Sequence, residues 1–152
     1  MNKRKLDWLL FLFIAIWYSG IYIYLFISFF PPLVYAFPFV NQLYSLVCHQ
    51  NPAKLITITF GNTLVCARCT GIYSGVILLS FISLFNNLIE IKSKKPFYLS
   101  VFVLFIDVLM TTFKIYDYSK LIAFSTGIFF GGIMFLYFRS ALYKLFITTE
   151  KN

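Results

Sequence analysis

The chain has 152 residues, of which 61% are hydrophobic, 22% aromatic and only 12% charged, with a formal net charge of +8. Soluble domains carry about 25% charged residues, so an ordinary water-soluble enzyme is excluded, and the aromatic content excludes a disordered protein. The basic residues lie in short clusters between apolar stretches, which is typical of membrane proteins and not of nucleic-acid-binding surfaces. We expect one integral membrane domain over residues 1–152, surrounded by the lipid bilayer and without a nucleic-acid partner.

Four apolar stretches predict an all-α, four-helix membrane bundle. The first follows a basic cluster at residues 3–5, and two prolines end it. About twenty apolar residues cross a bilayer as a helix, and each stretch approaches this length. The predicted spans cover about residues 8–30, 67–88, 97–113 and 121–138, with a frayed continuation of the last towards residue 145.

A long segment over residues 31–66 separates the first two spans. It is rich in proline, asparagine and glutamine, and Lys54 is its one charged residue. Loops of this length in small domains are usually functional or carry structure of their own. Residues 39–47 are a candidate for a short helix at the membrane interface, which the sequence does not decide.

The distribution of basic residues predicts the orientation of the four spans. Nine fall on the side of the termini, and four fall on the other side. The first group is Lys3, Arg4, Lys5, Lys92, Lys94, Lys95, Arg139, Lys144 and Lys151, and the second is Lys54, Arg68, Lys114 and Lys120. Because cytoplasmic segments carry the excess of Lys and Arg, we expect both termini in the cytoplasm and residues 31–66 outside a cytoplasmic membrane.

All three cysteines and the single histidine of the chain lie within 22 residues, at Cys48, His49, Cys66 and Cys69. C-x2-C is a common half-site for tetrahedral zinc, and the Cys48–His49 pair would supply the other half. Three thiolates and one neutral imidazole around a divalent ion sum to a charge of −1, which Arg68 would balance. Water or Asp107 are alternative fourth ligands. Zinc is the expected metal, although the same donors suit other thiophilic ions.

Two other interpretations of the cysteines remain open. A C-x2-C pair at a helix N-terminus is also the arrangement of thiol oxidoreductases, in which Cys66 and Cys69 would be catalytic and Cys48 would be a third thiol. Alternatively, the cysteines are inert, since free cysteine is often a small buried hydrophobe. Their clustering with the one histidine favours a function.

Asp107 is the second notable feature, because it lies inside the third predicted span. An ionisable group in a span usually faces the bundle and has a partner, for which Arg68 and Lys120 are the candidates. Asp107 and Arg68 are therefore either a structural brace or part of a catalytic or binding pocket. The second and fourth spans each contain a G-x-x-x-G pattern, which favours close helix packing over oligomerisation.

Two sequence blocks resemble an uncharacterised prokaryotic membrane family, domain of unknown function 2085. The blocks are Cys48-His49-Gln50 and Cys66-x-Arg68-Cys69-Thr70-Gly71-x-Tyr73. The resemblance covers roughly residues 40–135 and implies a membrane fold centred on the cysteines, without an activity. A second similarity, at the level of architecture, is to quinone-coupled disulfide-forming membrane enzymes, which implies quinone as an electron acceptor for Cys66 and Cys69. The three candidate functions are thus a zinc-binding protein, a thiol–disulfide oxidoreductase and a non-enzymatic subunit of a protein complex, so the question of an enzyme stays open.

Overall fold

The computed structural model describes residues 3–59, 61–85 and 93–148, and within these ranges the chain forms six α-helices and one β-hairpin. The predicted end of the second span at residue 88 and the charged turn with Glu90 and Lys92 lie outside the described residues. The helices are α1 (Lys3–Gly20), α2 (Ile23–Phe29), α3 (Phe37–Ser45), α4 (Ala67–Phe85), α5 (Lys95–Thr112) and α6 (Lys120–Thr148).

Three helices, α4, α5 and α6, are long and apolar enough to cross a membrane, which agrees with the predicted second, third and fourth spans. The continuous first span over residues 8–30 is wrong, because the chain bends by 77° between α1 and α2. The bend is held from outside the helix: the Tyr44 hydroxyl of α3 donates a hydrogen bond to the Trp17 carbonyl and lies against Gly20. A fourth span exists only if this bent pair is counted as one.

The segment between the first two spans is structured, and it corrects the all-α expectation. Two 3₁₀ helices, Pro31–Ala36 and Pro52–Lys54, flank α3 and the turn that follows it. Strands β1 (Leu55–Ile58) and β2 (Gly61–Cys66) then form an antiparallel hairpin. Its turn includes Gly61 at a φ of +144°, a conformation that glycine adopts readily.

The closest helix pair is α4 with α6, where the two G-x-x-x-G patterns face each other. A Cβ atom added at Gly71 would lie 2.2 Å from the Phe124 carbonyl oxygen, and one at Gly131 would lie 2.1 Å from the Ile72 carbonyl oxygen. Glycine is required here because the backbones of the two helices touch. The predicted role of these glycines in packing is confirmed.

A buried ion pair also connects the first and last helices of the bundle, α1 and α6. The Arg139 Nε atom of α6 lies 2.8 Å from Asp7 Oδ1 of α1, and the Tyr143 hydroxyl donates to Asp7 Oδ2 at 2.5 Å. Asp7 and Arg139 are each only 5% exposed. This pair lies at the end of the bundle where α1 begins, opposite the three cysteines. We call the end that holds Cys48, Cys66 and Cys69 the cysteine end.

Candidate functional site

Cys48 is held in place by the turn that follows α3. Its backbone N–H donates to the Tyr44 carbonyl at 2.9 Å, and its side chain packs in a buried cluster with Ile21 and Val65. Gln50 adopts a φ of +47°, and its side-chain amide returns to α3 by donating to the Asn41 Oδ1 atom at 3.1 Å. The turn is therefore fixed at both sides of Cys48.

Cys66 and Cys69 flank the point at which the hairpin becomes a helix. Cys66 is the last residue of β2, and Cys69 lies in the first turn of α4. The Thr70 hydroxyl donates to the Cys66 carbonyl at 3.1 Å and so stabilises this junction. The free N–H groups and the dipole at a helix N-terminus favour thiolates.

The three elements bring the cysteines together. The Sγ atoms of Cys48, Cys66 and Cys69 all lie within 4.8 Å of one another, and all three residues are free thiols. Three sulfurs at the Zn–S distance of about 2.3 Å from one tetrahedral ion are separated by about 3.8 Å, so the thiols need only small shifts to share an ion. His49, predicted as a fourth ligand, is exposed and does not belong to this group.

The Cys48 sulfur receives several hydrogen bonds. The Cys66 backbone N–H donates to it at 3.2 Å, and the Cys66 and Cys69 thiols and the Gln50 backbone N–H also favour its charged form. These donors, and chiefly the Cys66 thiol, lower the pKa of Cys48 well below its usual range, although burial acts in the opposite direction. Cys48 is therefore the sulfur whose negative charge the surrounding structure stabilises most clearly.

Arg68 and Asp107 form a brace beside the thiols. Arg68 Nε donates to Asp107 Oδ2 at 3.0 Å, and Nη2 donates to the same oxygen. The Tyr116 hydroxyl donates to Oδ1, and the Thr126 hydroxyl lies 3.5 Å from Oδ2. The Asp107 carboxylate of α5 thus contacts α4, α6 and the turn between α5 and α6, and both of its oxygens accept hydrogen bonds.

Two tyrosines of this turn, Tyr116 and Tyr118, were not singled out in the sequence. The hydrogen bond to Asp107 raises the pKa of Tyr116. Burial raises the pKa of Tyr118 to about 12, and the nearby Cys66 thiol and Arg68 guanidinium act on it in opposite directions. Lys54 Nζ lies 5.1 Å from the centre of the Tyr118 ring, so this ring contacts the segment after Cys48.

The Tyr118 hydroxyl is the one polar group near the site whose oxygen is buried and lacks a hydrogen-bond partner among the described residues. Buried hydroxyls normally have a partner, which is often water. Their position in the sequence could have indicated both tyrosines. They follow directly after the span that contains Asp107, in a polar turn on the same side of the predicted bundle as the cysteines.

Comparison with known proteins agrees with this arrangement. A family model described as predicted membrane protein (DUF2085) matches residues 48–137, which is more than half of the chain. The chain belongs to this family. The matched range begins at Cys48 and contains all three cysteines, Arg68 and Asp107, so the resemblance deduced from the sequence is confirmed.

The relatives of this DUF2085 member supply no activity. The uncharacterized protein MJ1492 of Methanocaldococcus jannaschii is 40% identical over 60 residues, which cover 39% of this chain and 38% of that protein. The chain therefore spans well under half of the curated relative that it matches. No solved structure matches the chain.

Proposed function

We propose that this protein holds one zinc ion on Cys48, Cys66 and Cys69. The observation that carries the proposal is the convergence of three free thiols, from a turn, a strand end and a helix start, within 4.8 Å. Thiolates select thiophilic ions, and the fixed turn at Gln50 provides the orientation that metal ligands need.

We assign the fourth position of the ion to water or another small ligand. His49 is exposed and lies outside the thiol group, and both oxygens of Asp107 are already hydrogen-bonded. An open fourth position is the usual property of catalytic zinc sites, whereas structural sites are closed by protein ligands. The unpartnered Tyr118 hydroxyl nearby is suited to hydrogen-bond such a ligand.

The charge of the proposed site also follows from its neighbours. Three thiolates and one Zn²⁺ carry a net charge of −1, and Arg68 does not cancel it alone because its own charge is shared with Asp107. The compensation comes from N–H donors, namely those of Cys66 and Gln50 and the N-terminus of α4. We further propose that this end faces outwards from a cytoplasmic membrane, with the termini inside, as the basic residues suggest.

The ligand set is tested by metal analysis of protein purified in detergent without chelators or a nickel column. We expect about one zinc per chain in the parent, and loss of most of it in Cys48→Ser, Cys66→Ser and Cys69→Ser, because a site with two thiolates binds zinc weakly. His49→Ala is the matched control and keeps its zinc. Loss of zinc from His49→Ala would instead identify the imidazole as the fourth ligand.

Free-thiol titration of the same samples separates the metal proposal from its alternatives. If zinc is bound, the three thiols react fully only after a chelator removes it. Protein without metal and with Cys66 joined to Cys69 would overturn the proposal in favour of a quinone-coupled thiol oxidoreductase. Stoichiometric co-purification with a larger complex would indicate an accessory subunit.

The substitution Asp107→Asn tests whether Asp107 only pairs with Arg68 or also binds the metal. This change weakens the ion pair to Arg68, so we expect a lower thermal midpoint in detergent, corresponding to about 1–3 kcal/mol. Zinc content should be unchanged. A folded Asp107→Asn protein that has lost its zinc would show that Asp107 is a ligand.

A further inference from the structure

The segment that leads from α1 to Cys48 leaves the bundle at a steep angle. Helix α1 begins with charged residues, so its apolar part, residues 8–20, is only about 20 Å long and is shorter than the hydrocarbon layer of a bilayer. After the 77° bend, α2 runs nearly perpendicular to α1. Counted together as one span, α1 and α2 bring the chain to the membrane surface near Phe29.

Two other elements of the structure hold the bend between α1 and α2. Leu64 of β2 donates its N–H to the carbonyl of the fully buried Ile21 at 3.1 Å. A Cβ atom at Gly20 would lie 2.6 Å from the Tyr44 hydroxyl of α3. The direction of α2 is therefore fixed by the same α3 and β2 that present Cys48 and Cys66.

One face of this segment is buried and the other is exposed and apolar. Tyr44 and Cys48 face the core, whereas Phe39 and Leu46, seven residues apart on the opposite face, are 69% and 76% exposed. Tyr35, in the 3₁₀ helix before α3, is 88% exposed. No Asp, Glu, Lys or Arg occurs between residues 21 and 53.

We propose that residues 29–47 form a collar that lies in the lipid interface at the cysteine end and inserts the side chains of Phe39, Leu46 and Tyr35 among lipids. Lipid is the partner favoured by the structure because exposed apolar side chains follow one another along the chain into the collar, from Phe13 and Ile16 of α1 to Phe29 at the end of α2. Tyrosine, as at Tyr35, is also enriched where the membrane meets water. The collar thereby holds Cys48 at the membrane surface, and this proposal does not depend on bound metal.

Phe39→Trp and Leu46→Trp, each made singly in the full chain, test the collar after reconstitution into phosphatidylcholine vesicles. The emission of the added tryptophan is obtained by subtracting that of the parent, which contains Trp8 and Trp17. We expect vesicles with bromines on the upper acyl chain to quench most of the added emission, and aqueous acrylamide to quench little of it. The matched control is Thr57→Trp at an exposed position of β1, for which the opposite pattern is expected.

Two results would overturn the proposal. Quenching of both collar tryptophans by acrylamide, but not by brominated lipid, would place the collar in water. Protection from both quenchers would show that protein covers it, either a second copy of the chain or another subunit. Because both substitutions are at exposed positions, unfolding should not interfere, and an unchanged thermal midpoint verifies this.

Discussion

Asp7→Ala is expected to reduce the free energy of unfolding by about 3–5 kcal/mol, the cost of removing one partner from a buried ion pair. The change leaves the Arg139 guanidinium, which is 5% exposed, without the carboxylate that receives its Nε and Nη2 donors. It also removes the acceptor of the Tyr143 hydroxyl. Denaturant titration in detergent, followed by circular dichroism, measures the loss.

Two further variants serve as controls for this prediction. Lys144→Met removes a cation from an exposed position one residue beyond Tyr143 and should change stability by less than about 0.5 kcal/mol. The double change Asp7→Leu with Arg139→Met should recover much of the loss, because no charge is then buried. Equal stability of Asp7→Ala and Lys144→Met would contradict a stabilising role for the pair.

Gly131→Ala is expected to have the second large effect, because its methyl group would lie 2.1 Å from the Ile72 carbonyl oxygen of α4. Backbone cannot yield as a side chain does, so the two helices must separate. We expect a loss of at least about 3 kcal/mol, at the upper end of the range for overpacked interiors. Thermal unfolding in detergent would report the separation, and so would loss of the proposed zinc, since Cys69 is in the first turn of α4.

The adjacent glycine provides a matched control. A methyl group at Gly132 would meet the Leu79 Cδ1 atom at 3.1 Å, which is the end of a flexible side chain. Gly132→Ala should therefore stay within about 1 kcal/mol of the parent, since the better helix propensity of alanine offsets a small rearrangement. Similar destabilisation by both changes would mean that α4 and α6 do not touch as described.

Features encoded by local composition could be predicted from the sequence. The long apolar stretches predicted α4, α5 and α6, and the glycine spacing predicted the kind of close helix packing that α4 and α6 show, because hydropathy and small-residue patterns act within one segment. The short helix considered for residues 39–47 is α3, Phe37–Ser45. The clustering of the three cysteines in sequence also anticipated their proximity in space.

Features that depend on distant partners were missed. Nothing in the apolar run around Gly20 indicates a bend, since the bend requires Tyr44 from α3 and Leu64 from β2. Arg139 was counted only as a cytoplasmic charge, because Asp7 lies 132 residues away in sequence. The hairpin did carry a local signal, the β-branched residues of β1 before a glycine turn, but the loop-like composition around it concealed this signal.

The backbone contact between α4 and α6 has a mechanical consequence. Gly127 packs directly on the Arg68 carbonyl, so the first turn of α4 cannot slide or rotate against α6 without a collision. These two helices must therefore move as a single stiff body that carries Cys69 with it. Helix α5, in which only Ser100 and Asp107 are buried, is less deeply embedded, and the Arg68–Asp107 ion pair links it to the first turn of α4 beside Cys69.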